Sequence, residues 1–206
     1  HGDDNGLVLP PMIAPTQVVI IPIVTKDSNS GKINSLAKKA FEILETNNLR
    51  VKFDDSDQSP GWKFNQADLE GVPLRIEIGS HEATSGKLRV VRRDTKDKFD
   101  VSMDTLGAEV NQILEMIQEG LFEKSKKFTQ ENTRQADNYD EFKEIMKTSR
   151  GFIEAFWCED PKCEIKIKEE TKATTRLLPL GAIEAKGECI YCGKPAKFRW
   201  LFGQSY

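Results

Sequence analysis

At ~100–200 residues per domain, 206 residues suffice for one large domain or two small ones and leave enough chain for a buried core. Hydrophobic residues make up 38% and charged residues 31%, which excludes a disordered chain, and the longest apolar run, Gln17 to Val24, is broken by Pro22 and far too short to span a bilayer. With 30 Lys and Arg against 33 Asp and Glu the net charge is -3, so coating of nucleic acid by bulk charge is excluded and any such binding has to be local.

The chain opens His1-Gly2-Asp3 with neither an initiator methionine nor an apolar leader, and it reads as a fragment. Gly2, Gly6, Pro10, Pro11 and Pro15 make residues 1–15 a linker. Val18–Val24 is apolar and β-branched, as for a strand covered on both faces. Ile33, Leu36, Ala37, Ala40, Phe41 and Leu44 then recur at helical spacing, and Asn47-Asn48 ends that helix. Leu49–Phe53 alternates apolar and charged and completes a βαβ unit. A short helix from Gly61 to Glu70 is closed by Gly71. In the strand that follows, Leu74, Ile76 and Ile78 face a core while Arg75 and Glu77 project together on the other side.

Gly79–Gly86 reads as a loop, Leu88–Arg93 and Phe99–Met103 as a hairpin turning at Asp94–Asp97, and Asp104 as the N-cap of a helix running from Leu106 to Phe122. Residues 123–137 are polar and fit a solvated helical extension. Asn138 to Arg150 forms another helix, with Phe142, Ile145 and Met146 inward and Gly151 as its stop, and a second, smaller domain follows.

All four cysteines lie in that last quarter, as Cys158-x4-Cys163 and Cys189-x2-Cys192-Gly193. Four thiolates in two close pairs can complete a tetrahedral, closed and therefore structural zinc shell; four independent reduced thiols, or a redox pair, are the alternatives. This usage fits a reduced compartment, with cytoplasm as the expected location. His1 and His81 are the only histidines, no Gly-x-Ser-x-Gly elbow occurs and no glycine-rich phosphate loop appears, so no catalytic residue is assigned.

Gly86–Lys98 concentrates basic residues, either a solvated hairpin or a ridge on which Arg92 and Arg93 contact phosphates. Gly61–Gly79 brings Lys63, Asp68, Arg75 and, just beyond, His81 toward one sheet edge. A carboxylate accepts from the N–H groups of an unpaired guanine and an arginine donates to its O6 and N7, so this set could read splayed bases; a surface ion-pair network is the other reading.

Four blocks resemble the C-terminal part of the prolyl-tRNA synthetase family, of the archaeal and eukaryotic class II type: His1–Pro11, Ser59-Pro-Gly-Trp-Lys-Phe64, Glu70-Gly-Val-Pro-Leu-Arg-Ile-Glu-Ile-Gly79 and Leu201-Phe-Gly-Gln-Ser-Tyr206. With the cysteines they span the chain. The resemblance implies an α/β protein, with 1–15 leaving a catalytic domain, a mixed-sheet anticodon-binding domain over 16–120, a helical connector over 121–137 and a small α+β zinc-binding domain over 138–206. It further implies that Asp68, Arg75 and His81 match readers of the two guanines of the proline anticodon, and that Tyr206 reaches toward the catalytic site.

The chain departs from the family's usual residues by carrying Asp68 for glutamate, Gly79-Ser80-His81-Glu82 for a Gly-Pro-basic-Asp pattern, and Gln204 for arginine. The class II catalytic motifs are absent, so the fragment should not aminoacylate alone. The resemblance also implies a homodimeric parent enzyme that uses ATP and Mg²⁺ to join proline to its tRNA. The expected partners are proline tRNA and the parent's catalytic domain, with neither membrane nor DNA. The runner-up reading is a zinc-stabilised protein-interaction module without tRNA specificity.

Overall fold

The computed structural model describes residues 1–25 and 28–204, and the chain forms two compact units, His1–Glu123 and Lys124–Tyr206. Among the described residues no helix is long and apolar enough to cross a membrane. Tyr206, to which the family resemblance gives a role, lies outside them.

The first unit opens with a hairpin of β1 (Gly2–Asp3) and β2 (Gly6–Leu7), followed by β3 (Val18–Pro22), α1 (Ser30–Thr46), β4 (Val51–Phe53), α2 (Pro60–Glu70) and β5 (Leu74–Ile78). Then come α3 (Ser80–Ser85), β6 (Lys87–Arg92), β7 (Lys98–Ser102) and α4 (Leu106–Glu131). The sheet runs β4-β3-β5-β6-β7; β3 is parallel to both β4 and β5, and the last three strands are antiparallel. Every residue of β3 is buried because both faces of this central strand are covered. Val18 and Ile20 join Ile33, Ala37, Ala40 and Leu44 of α1 and Val110, Ile113 and Ile117 of α4 in the main core. Val19 and Ile21 point the other way and pack with Phe64 and Ala67 of α2 and Val72. With α2 lying over β3, strands β5 to β7 present Arg75, Glu77, Arg89 and Asp100 on that second face.

Three local expectations are corrected. Residues 1–15 are not a bare linker, because β1 and β2 pair and dock against α2. Gly79–Gly86 is not a loop: the Glu82 carboxylate accepts from the Gly79 N–H at 2.9 Å, and left-handed Gly86 at φ 71° ends one short helix. Asp104 does not cap α4, which opens at Leu106 with the Thr105 carbonyl accepting from the Glu109 N–H.

In the second unit β8 (Thr133–Gln135), α5 (Tyr139–Thr148), β9 (Phe152–Phe156), α6 (Pro161–Thr171), β10 (Ala173–Leu177), β11 (Gly187–Glu188), β12 (Pro195–Ala196) and β13 (Arg199–Gln204) follow in order. A four-stranded sheet, β10-β13-β9-β8, is backed by α5 and α6 around Phe142, Met146, Ile153, Ile167 and Phe202. The polar stretch at 123–137 is therefore only partly helical, since Thr133–Gln135 supplies an edge strand parallel to β9. An edge position lets polar side chains face water while the backbone is paired.

Candidate nucleic-acid interface and metal centre

Ser59 starts α2 by accepting from the Trp62 N–H at 3.3 Å, Pro60 fits the first turn, and Gly71 stops the helix at φ 71°. Three residues later the chain enters β5, whose alternation turns Arg75 toward α2. The Arg75 guanidinium lies 4.4 Å from the centre of the Phe64 ring, its Nε donates to Glu77 at 2.9 Å, and its Nη1 donates to Asp68 at 3.3 Å. Asp68 also accepts from Lys96 Nζ at 2.7 Å. Beneath it Arg93 Nε donates to the Asp68 carbonyl at 3.1 Å, and the two Arg93 terminal nitrogens bond both oxygens of Asp3 at 2.8 and 2.7 Å. This pairing holds the Asp3 carboxyl well below the usual carboxylate range.

Three cations and three carboxylates are thus interleaved, so the cluster has no net field with which to draw phosphate. It does offer donors beside acceptors, as a base edge requires. Among the described residues Arg75 engages Nε and one Nη1 hydrogen of its five N–H donors, and Phe64 and the carboxylates fix the plane of the rest.

Asp68 and Arg75 are brought together as their sequence positions suggest, whereas Lys63 and His81 stand apart from them. Lys63 is 5% exposed; its Nζ donates to the Asp54 carbonyl at 3.0 Å and lines a cavity of about 300 Å³ with Pro22, Asn34 and Asp57. His81 sits on α3 with its side chain 75% exposed and Nδ1 3.3 Å from Glu82. Arg92 and Arg93 do not form an open ridge. Arg92 is buried in a two-bond pair with Asp94 at 2.9 and 2.7 Å, and Arg93 is occupied by Asp3 and α2. Glu77, Lys96 and Asp3 complete the cluster; the alternation of β5 announces Glu77, but nothing local announces the other two.

The four cysteines converge from three places. Cys158 follows β9, Cys163 lies in the first turn of α6, which Asp160 caps by accepting from the Lys162 N–H at 2.9 Å, and Cys189 and Cys192 flank the turn after β11. Cys158 Sγ is 3.7 Å from the Sγ of both Cys163 and Cys192, and all four sulfurs lie within 4.8 Å of one another. These separations are too long for disulfides, for which S–S is about 2.0 Å. They match a tetrahedron of ~2.3 Å metal–sulfur bonds, whose edges are ~3.8 Å. The set can hold a metal ion. Burial, and then the neighbouring thiols, push the Cys163 thiol up, as expected where several sulfurs cannot all ionise without a cation. The Asp160 and Lys194 N–H groups point at Cys158 and Cys192, and left-handed Gly193, φ 69°, lets the second turn close.

A mixed-sheet unit bearing this cluster is thus followed by an α+β unit that carries four cysteines able to hold a metal ion. Residues 17–113 match the family model described as "Anticodon binding domain", and residues 139–206 match "Prolyl-tRNA synthetase, C-terminal". The chain belongs to the prolyl-tRNA synthetase family, of which it carries the anticodon-binding and C-terminal portion. It is 43% identical to a proline–tRNA ligase of Lachnospira eligens and 42% identical to one of Christiangramia forsetii, in both cases over 100% of this chain and 42% of the relative. A crystal structure of prolyl-tRNA synthetase from Cryptosporidium parvum, complexed with L-proline and AMP, superposes with a TM-score of 0.92 at 36% identity, covering 100% of this chain and 44% of that one. The chain thus spans less than half the length of these relatives.

Proposed function

We propose that this chain supplies anticodon recognition to a proline–tRNA ligase that uses ATP and Mg²⁺ to join proline to the 3′ end of its tRNA. No residue of the chain is assigned to that chemistry, so the chain alone is inactive. The observation that carries the reading is the held geometry of Arg75. Its spare N–H donors lie in one plane, able to meet O6 and N7 of an unpaired guanine, while Asp68 accepts from a base N–H. Lys63 at the crevice beside α2 and His81 on α3 are the further base contacts of this reading.

Exposed Lys87 and Lys98 on the β6–β7 hairpin meet phosphates, while Arg92 and Arg93 brace the hairpin from within. Cys158, Cys163, Cys189 and Cys192 hold one structural Zn²⁺, and the closed set leaves no open position for chemistry. Residues 16–120 form the reading domain, 121–137 the connector and 138–206 the metal-stabilised domain, with 1–15 leading from the catalytic part of a dimeric cytoplasmic enzyme.

The test is fluorescence binding of the purified chain to proline tRNA and to an anticodon-swapped version at two salt concentrations. Tighter binding of the proline anticodon at both concentrations supports the reading. Equal affinity, or no binding, leaves the chain a metal-stabilised interaction module and overturns it.

A further inference from the structure

Asp3 and Arg93 are joined across ninety positions of sequence by two short hydrogen bonds, with the Arg93 side chain only 2% exposed. A guanidinium so enclosed requires a partner. Asp3 provides both oxygens, which frees Arg93 Nε to hold the Asp68 carbonyl in the last turn of α2. The β1–β2 hairpin that carries Asp3 is pressed backbone to backbone on the same turn. A Cβ on Gly6, at φ 131°, would stand 2.5 Å from the Leu69 Cα, and one on Gly71 would stand 2.6 Å from the Leu7 Cβ. The position of Asp68 is thereby set from outside its own helix.

We propose that the N-terminal hairpin is part of the base-reading device, with Asp3 and Arg93 acting as positioning residues that keep the Asp68 carboxylate turned to Arg75. This rests on the reading of Asp68 and Arg75 as base contacts. Without the Asp3 carboxylate, the carboxylate left within 4 Å of the Arg93 guanidinium is that of Asp68, 3.8 Å from Arg93 Nε. Arg93 then competes with Arg75, whose hold on Asp68 is the longer bond of the cluster at 3.3 Å. The chemical groups that meet a base remain, but their mutual geometry is lost, so discrimination falls while phosphate-driven binding persists.

The experiment measures, for the full 206-residue chain, the ratio of affinities for proline tRNA and its anticodon-swapped version, with thermal melting as the fold control. Asp3→Asn is expected to cut the ratio about tenfold, with binding of the swapped tRNA unchanged. Asp3→Glu, which keeps the carboxylate, restores part of it. Asp94→Asn removes an equally short two-bond pair from the adjacent Arg92 without touching α2 and leaves the ratio alone. A wild-type ratio in Asp3→Asn, or equal losses in Asp3→Asn and Asp94→Asn, overturns the positioning role while Asp68→Ala still abolishes discrimination. If Asp68→Ala has no effect, the base-reading assignment fails first and this inference with it.

Discussion

Replacing Arg75 by lysine keeps the charge and removes the planar fork. In the wild type Nε and Nη1 engage Glu77 and Asp68 while the face of the guanidinium rests on Phe64, 4.4 Å from its centre. A lysine ammonium reaches one of those carboxylates and cannot stack as a plane, so one charge-assisted bond and the ring contact weaken. Both carboxylates are largely buried, 20% and 15% exposed, but the ammonium still pairs with one of them, so the loss of stability is that of a single hydrogen bond, about 1 kcal/mol. The effect on base reading is larger. A two-bond arginine–guanine contact discriminates by ~1–3 kcal/mol, and at ~1.4 kcal/mol per factor of ten Arg75→Lys should lower the cognate-to-swapped ratio by roughly 5- to 150-fold. Equilibrium denaturation measures the first effect and fluorescence binding to the two tRNAs the second. Arg89→Lys is the matched control, since Arg89 sits on the same sheet face, pairs with Asp100 at 2.6 Å and has its side chain 34% exposed. A wild-type ratio in a folded Arg75→Lys chain, or an equal loss in Arg89→Lys, would refute the assignment of Arg75 as a base reader.

Excess chelator should abolish the cooperative melting of the second unit, reported by the Trp157–Trp200 pair packed 5.1 Å apart, while the circular dichroism of the first unit survives. Unchanged tryptophan melting would show that the four thiols hold nothing of structural consequence. Phe202→Ala empties a fully buried position against Phe142, whose ring centre is 5.3 Å away, and should cost ~3–5 kcal/mol, a large share of what a small unit possesses; urea titration of the second unit measures it. The Asp3 carboxyl titrates below its ordinary range when folded, so its stabilising contribution is complete above about pH 4 and disappears as pH falls through the lowered value. The stability gap between the wild type and Asp3→Asn should accordingly be constant from neutral pH to about 5 and close in stronger acid. A gap that stays constant down to pH ~2 contradicts this.

What could be read from the chain itself rests on short-range regularities. The unbroken apolar run of β3 announces a strand buried on both faces, the three-and-four spacing of Ile33 to Leu44 announces the buried side of α1, and the alternation around Arg75 assigns that side chain and Glu77 to one face of β5. Ser59, Pro60 and Gly71 bracket α2 through their own backbone preferences, and the paired cysteines mark a set able to hold a metal ion because each pair is already local.

Tertiary structure alone decided the long-range charge pairings. Residues 1–15 carry too many glycines and prolines for local order, and their hairpin exists because Gly6 and Gly71 let two backbones touch and because Arg93 requires Asp3. Arg92 and Arg93 look like a basic ridge in sequence and are buried ion-pair partners in the fold; Lys63, one helix away from Arg75 in the same motif, turns to Asp54 instead. Hydrophobic periodicity is written along a few consecutive turns or strand positions, whereas a charge selects its partner by distance in the folded chain, and that distance is set by the packing of the whole sheet.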